Sequence, residues 1–199
     1  DGVLAHIAGG RRGEFNMRYG QPSVQPTPSF GHLFPFADAV QRDPLSGRSD
    51  GLLARLGGDA PKIVYTDTSA EYWRSDAGLA HTALEDGGDA VLPANVRRYL
   101  FASTQHGPGA AVLSDTTPFS SRGGNPLNIV DYRPLYRAAL VNLLPWVRDG
   151  TAPPASAHPR AADGTRARRA EAMQRLAAIP GLALPAAERL TTMYPLDLG

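Results

Sequence analysis

Pro61-Lys62-Ile63-Val64-Tyr65-Thr66-Asp67 is a short apolar run with a carboxylate at its end, and it runs directly into Thr68-Ser69-Ala70-Glu71-Tyr72-Trp73. A run of that length and composition is predicted to be a strand buried on both faces. Residues 71–82 then read as helical at their start, where the Glu71 carboxylate sits favourably near the positive end of the helix dipole. Upstream, Val3-Leu4-Ala5-His6-Ile7-Ala8 is a similar run ended by Gly9-Gly10, and residues 95–102 read as a third strand downstream. Between the first two, residues 50–56 read as a short helix with Asp50 as N-cap and Gly57-Gly58 as its stop. After the third strand, Asp131 is placed to cap a helix over residues 132–148. Its Leu135, Ala138, Ala139, Leu143, Trp146 and Val147 make it apolar on most of its surface, so it should pack firmly on a sheet. Strand and helix alternate throughout, which argues for a parallel α/β sheet with right-handed crossovers. Three strands are few where sheets average about five or six, so these are expected to be edge strands of a larger sheet, with flanking helices and long loops.

Composition narrows the function classes. The chain has 199 residues, 42% of them hydrophobic, and a net charge of +1, which gives no reason to expect nucleic acid as a partner. Lys62 is the only lysine among the 20 basic residues; a compositional bias towards arginine explains this as well as any need for guanidinium forks. The absence of cysteine excludes disulfides and thiolate metal sites, and none of the five histidines has ligand spacing. No apolar run approaches the roughly 20 residues of a membrane span. The 21 glycines and 18 prolines cluster in long connections, of the kind that is usually functional or disordered. Residues 1–150 are expected to form one α/β body. Residues 151–199 read as a Pro/Ala/Arg-rich extension packing on it, with residues 166–178 as a polar helix.

In open parallel sheets, catalytic groups lie beyond the carboxyl ends of the strands. The segments there are Arg11-Arg12-Gly13-Glu14-Phe15-Asn16, then Asp67 to Trp73, then Ser103-Thr104-Gln105-His106-Gly107-Pro108-Gly109. An acid after one strand and a histidine after the next is the chain order of an α/β-hydrolase triad: nucleophile, acid, histidine. His106 is the candidate general base. Glu71 is preferred to Asp67 as its acid partner, although Asp67 stands at the strand end. The competing readings are a helix N-terminal charge for Glu71 and a turn or cap for Asp67. Arg11, Asn16 and Arg18, with Tyr72 and Trp73, are the candidate substrate-binding residues. Solvated loop charge is the plainer explanation for the arginines. His6 reads as a satisfied core histidine, His81 as a helix-end cap, and Phe30, Phe34 and Phe36 as pocket wall or ordinary packing.

The motifs Asp1-Gly2-Val3-Leu4-Ala5-His6-Ile7-Ala8-Gly9, Ser69-Ala70-Glu71-Tyr72-Trp73-Arg74, Thr104-Gln105-His106-Gly107-Pro108-Gly109, Asn125-Pro126 and Asp131-Tyr132-Arg133-Pro134-Leu135 together resemble a bacterial family of esterase-like α/β-hydrolase domain proteins. The resemblance covers nearly the whole chain in order. It implies the C-terminal portion of an α/β-hydrolase fold and a carboxylic-ester hydrolase that needs no cofactor. It also implies a nucleophilic serine in a G-x-S-x-T-G-R-like elbow upstream of the Asp1-Gly2-Val3 strand. The chain contains no G-x-S-x-G, and neither Ser103 nor Ser121 is expected on a strand-to-helix turn. It opens inside an apolar run without an initiator methionine, so an upstream segment or a companion chain is expected to supply the serine and the oxyanion hole. Alone, the chain should not turn over an ester. The rival reading is a non-catalytic fragment or binding module whose first strand exposes an unpaired edge for a partner or a second copy.

Overall fold

The structure, a computed structural model, describes residues 1–10, 34–74 and 76–190. Arg11, Asn16 and Arg18, and with them Phe30 and His32, lie outside the described residues. In chain order the elements are β1 (Gly2–His6), a short ribbon of β2 (Gln41–Arg42) and β3 (Ser49–Asp50), then β4 (Lys62–Thr68), α1 (Ser69–Arg74), β5 (Val96–Phe101), α2 (Arg133–Asp149) and α3 (Arg169–Ala177). β1, β4 and β5 form a parallel sheet in that spatial order. β4 is the central strand and is buried at most of its positions, with Ile63 and Val64 buried side by side and so on opposite faces.

The register places Leu4 beside Val64 and Val64 beside Arg97, so these share one face. On that face α2 packs Ala139, Leu143 and Trp146 against Val64, with Leu4 and Tyr99 at the margins. Arg97 lays its guanidinium 5.0 Å from the Trp146 ring centre, and Lys62 Nζ donates to the Trp146 carbonyl. The helix sits so close to β1 that a Cβ on Gly2 would overlap Val147. Tyr65 and Arg98, paired in register, point the other way. There both meet Asp38: Arg98 Nη2 donates to Oδ2 and the Tyr65 hydroxyl to Oδ1, each over 2.8 Å. A buried charge must be paired and hydrogen-bonded to be tolerated, and Asp38 meets that demand with both oxygens. Phe34 and Phe36, both buried, meet edge to face with centroids 6.0 Å apart in the same segment.

The two edges of the sheet differ. Along β5, Ala157 bridges to Tyr99, with Leu100 N donating to Ala157 O at 2.8 Å and Ala157 N to Arg98 O at 2.9 Å. Beyond it, the Asp89 carboxylate accepts the Ala161 and Ala162 amides, and Arg166 donates to Thr82 Oγ1 and the Gly88 carbonyl. Beyond β1 no strand follows among the described residues. Val3 on β1 is exposed, and so, on α2, are Leu140, Val141 and Leu144. Among the described residues no helix is long and apolar enough to cross a membrane.

Local punctuation departs from expectation in several places. Residues 50–56 are not one capped helix. Asp50 belongs to β3 and accepts the Gly51 amide at 2.8 Å, and a 3-10 turn runs over Ala54–Asp59, with Gly57 at φ 53° inside it. The helix begun at Ser69 stops at Arg74. Asp76 takes a left-handed conformation (φ 50°), and a 3-10 turn over Ala77–His81 follows. β1 ends at His6, since Ile7 at φ 52° cannot continue a strand. Tyr132, not Asp131, holds the N-cap position of α2; Asp131 nevertheless accepts the Arg133 amide at 3.0 Å and its guanidinium at 2.8 Å.

Candidate active site

The carboxyl ends of β1, β4 and β5 converge on one group of polar side chains. At the end of β4, Thr68-Ser69-Ala70-Glu71 has the spacing of a capping box, in which a glutamate reaches back to the start of its own helix. Glu71 Oε2 accepts the Thr68 amide at 2.8 Å and the Thr68 hydroxyl at 2.5 Å. With Oε2 so fixed, Oε1 is left to face His106 Nδ1 at 2.7 Å. Glu71 is 1% exposed. Burial works to push its carboxyl up, but the bonds from His106 and Thr68 outweigh it and hold the group below the usual glutamate range. The helix N-terminal role and the pairing with His106 are therefore not alternatives: one oxygen does each.

His106 lies in the loop after β5 with its side chain 59% exposed. Among the described residues Nε2 makes no hydrogen bond, so the ring is held on one nitrogen and open on the other. The loop is tied down behind the ring. Ser69 Oγ accepts the Ser103 amide at 2.9 Å, and Thr104 Oγ1 donates to the Phe101 carbonyl at 2.5 Å. Gly109 N donates to Val130 O at 2.8 Å, and a Cβ at Gly109 would collide with the backbone of residues 128–130. That close approach returns the chain to Tyr132, whose hydroxyl donates to the His106 carbonyl at 2.7 Å.

Asp67 stands apart from this pair. It is buried, and its Oδ1 accepts the Gly9 amide at 3.0 Å, which fastens the loop leaving β1. Burial raises its carboxyl above the usual range, and the Gly9 amide and Arg98 offset only part of that. Tyr72 turns its hydroxyl to His81 Nε2 at 2.7 Å, while Trp73 is 46% exposed. His81 is 3% exposed and packs against His158, the rings tilted with centroids 4.4 Å apart. Burial, then the positive charge of His158 and Arg98, pushes its pKa down to about 3. It does not act as a helix-end cap. His6 is satisfied as expected, though half-buried on a partly exposed strand and not in the core: Nδ1 meets Thr66 Oγ1 at 2.8 Å and Nε2 meets the Tyr132 hydroxyl at 3.2 Å. Sequence reasoning passed over Thr68 and Tyr132. The capping-box spacing was a readable signal for the first; nothing local marks the second, which reaches its partner across 26 residues.

Ser103 has a left-handed backbone, φ 58°, but the chain runs on as loop and turn to α2, so the strand-to-helix elbow of an activated serine is not built there. Among the described residues no three His, Asp or Glu side chains gather as a metal site. An imidazole with a fixed carboxylate behind it and its far nitrogen open can take a proton from a hydroxyl and return it to a leaving group.

A family model described as an alpha/beta hydrolase domain matches residues 1–188. No curated protein and no solved structure matches the chain.

Proposed function

The chain belongs to the alpha/beta hydrolase domain family, and from that premise we propose that it is the acid-and-histidine part of a serine hydrolase acting on carboxylic esters. The observation that carries the reading is the 2.7 Å contact between His106 Nδ1 and a Glu71 carboxylate that is buried and otherwise fixed by Thr68. His106 is the general base towards the serine and then the general acid towards the leaving alcohol. Glu71 holds the tautomer with Nε2 free and stabilises the imidazolium. Asp67 has no part in the proton transfers and fixes the loop after β1. The nucleophilic serine and the oxyanion donors come from an upstream segment or a companion chain. Trp73, with Arg11, Asn16 and Arg18, contacts the substrate, and no cofactor enters the reaction.

The test is hydrolysis of activated carboxylic esters by the polypeptide or complex that contains both this chain and the nucleophile. Turnover that collapses with His106→Ala supports the reading; turnover indifferent to that change overturns it. A second reading, a binding module that pairs through β1, is favoured by one observation: among the described residues β1 has β4 as its single strand neighbour, and Val3 on it is exposed. A chain that is monomeric by size-exclusion chromatography, with no other polypeptide present, contradicts it.

A further inference from the structure

We propose that Tyr132 is a positioning residue for His106: its hydroxyl, held from behind by His6, fixes the His106 backbone so that the imidazole stays on Glu71. The inference rests on the base role given to His106 above.

Glu71 is rigid, because its helix and Thr68 fix it, but His106 is exposed and sits on a long loop. A pair with one fixed and one loose member keeps its geometry only if the loose member's backbone is restrained. The Tyr132 hydroxyl is the restraint that reaches residue 106 itself. The phenol is buried, and its ring packs against Phe101 and His6 with centroids 5.6 and 5.4 Å apart. Burial raises its pKa, so it keeps its proton and donates.

The donor directions then follow in one sense only. Tyr132 donates to the His106 carbonyl, so its oxygen accepts from His6 Nε2–H, and His6 Nδ1 accepts from the Thr66 hydroxyl. His6 serves this chain as a neutral ring, consistent with burial lowering its pKa. Thr66 and His6 face each other in register across β4 and β1. The relay therefore roots the His106 loop in the sheet through side chains of β1, β4 and the start of α2.

The test is NMR of the full chain, following the downfield Nδ1–H proton of a histidine bonded to a carboxylate. In the unmodified protein the signal is expected, and Glu71→Gln and His106→Ala are expected to abolish it. Tyr132→Phe keeps the ring packing and is expected to speed exchange of that proton with solvent at least tenfold, at an essentially unchanged unfolding temperature. His6→Leu should do the same through Tyr132, and His6→Gln, which keeps a donor near the Nε2 position, should restore slow exchange. If Glu71→Gln abolishes the signal while Tyr132→Phe and His6→Leu leave its exchange as in the unmodified chain, positioning by Tyr132 is overturned and the base reading stands. No such signal in the unmodified protein overturns both.

Discussion

Glu71 and Tyr72 are neighbours in α1, and each holds a histidine through a contact of 2.7 Å. On one side a buried carboxylate meets His106, whose ring is 59% exposed. On the other a neutral phenol meets His81, which is 3% exposed and pressed against His158. Equal distances hide opposite chemistry. The carboxylate favours the imidazolium that a general base must become. The phenol cannot, and burial, with His158, Arg98 and Arg166 nearby, drives His81 down to about 3. A partner alone therefore does not make a histidine a candidate base; the charge of the partner and the openness of the far nitrogen do.

The largest effect that would break this contrast is on activity. In the protein that carries the nucleophile, His106→Ala is expected to lower kcat by about 10⁵–10⁶-fold and Glu71→Gln by about 10⁴-fold. His81→Gln should leave kcat within about twofold. Steady-state ester hydrolysis by the variants checks all three, and equal losses from His81 and His106 would erase the distinction.

On the sealed side the expected losses are of stability. Asp38→Ala leaves the Arg98 guanidinium buried without its ion partner, a change worth about 3–5 kcal/mol, readable as a lowered urea midpoint. A loss under about 1 kcal/mol would mean that the Asp38–Arg98 pair does not hold this face together.

The acid response comes next. His81 is held far below its ordinary 6.5, so the unfolded chain takes up its proton before the folded one does. Its contribution is complete above pH about 6.5 and is lost as pH falls from there towards about 3, on the order of 2–4 kcal/mol. Glu71, also depressed, contributes above its ordinary 4.5 and loses that contribution as pH falls through its lower folded value. His81→Gln should therefore flatten unfolding free energy between pH 6.5 and 4 without touching the part set by Glu71. An unaltered pH profile in that variant would contradict the sealed environment.

Smallest is Thr68→Val, which removes the hydroxyl from Glu71 but leaves the amide. A hydrogen bond to a charged group is worth about 1.5–3 kcal/mol, and the lower end is expected because one donor remains. The same variant should raise the Glu71 pKa, measurable by carboxyl NMR.

The sheet was legible because the strand-like runs at Val3, Ile63 and Val96 alternate with helix-forming stretches, but only the central one is buried as a two-sided strand should be: β1 is exposed to half-buried along its length. His106 was legible from its place after a strand, but position alone left Asp67, at the strand end, level with Glu71; the Glu71-Tyr72-Trp73 motif tipped the choice, and it is Glu71 that meets His106. The role of Tyr72 was not legible, because a side chain beside Glu71 in sequence turns to His81, and no periodicity reports that turn. The short helix at residues 50–56 failed for a local reason: Gly57 takes a left-handed conformation inside the 3-10 turn that forms there, and Asp50 pairs in β3 before it can cap anything. Nothing in the sequence singled out Arg98, yet it is buried on Asp38; pairing over 60 residues leaves no trace in composition.

The most direct test of the account is intact mass spectrometry of the protein carrying the nucleophile after exposure to a fluorophosphonate. A single adduct is predicted on a serine upstream of this chain or on a companion polypeptide, formed far more slowly with His106→Ala and at the ordinary rate with His81→Gln. Absence of any adduct, or labelling at the same rate in both variants, would contradict the assignment of His106 and Glu71 as the working pair.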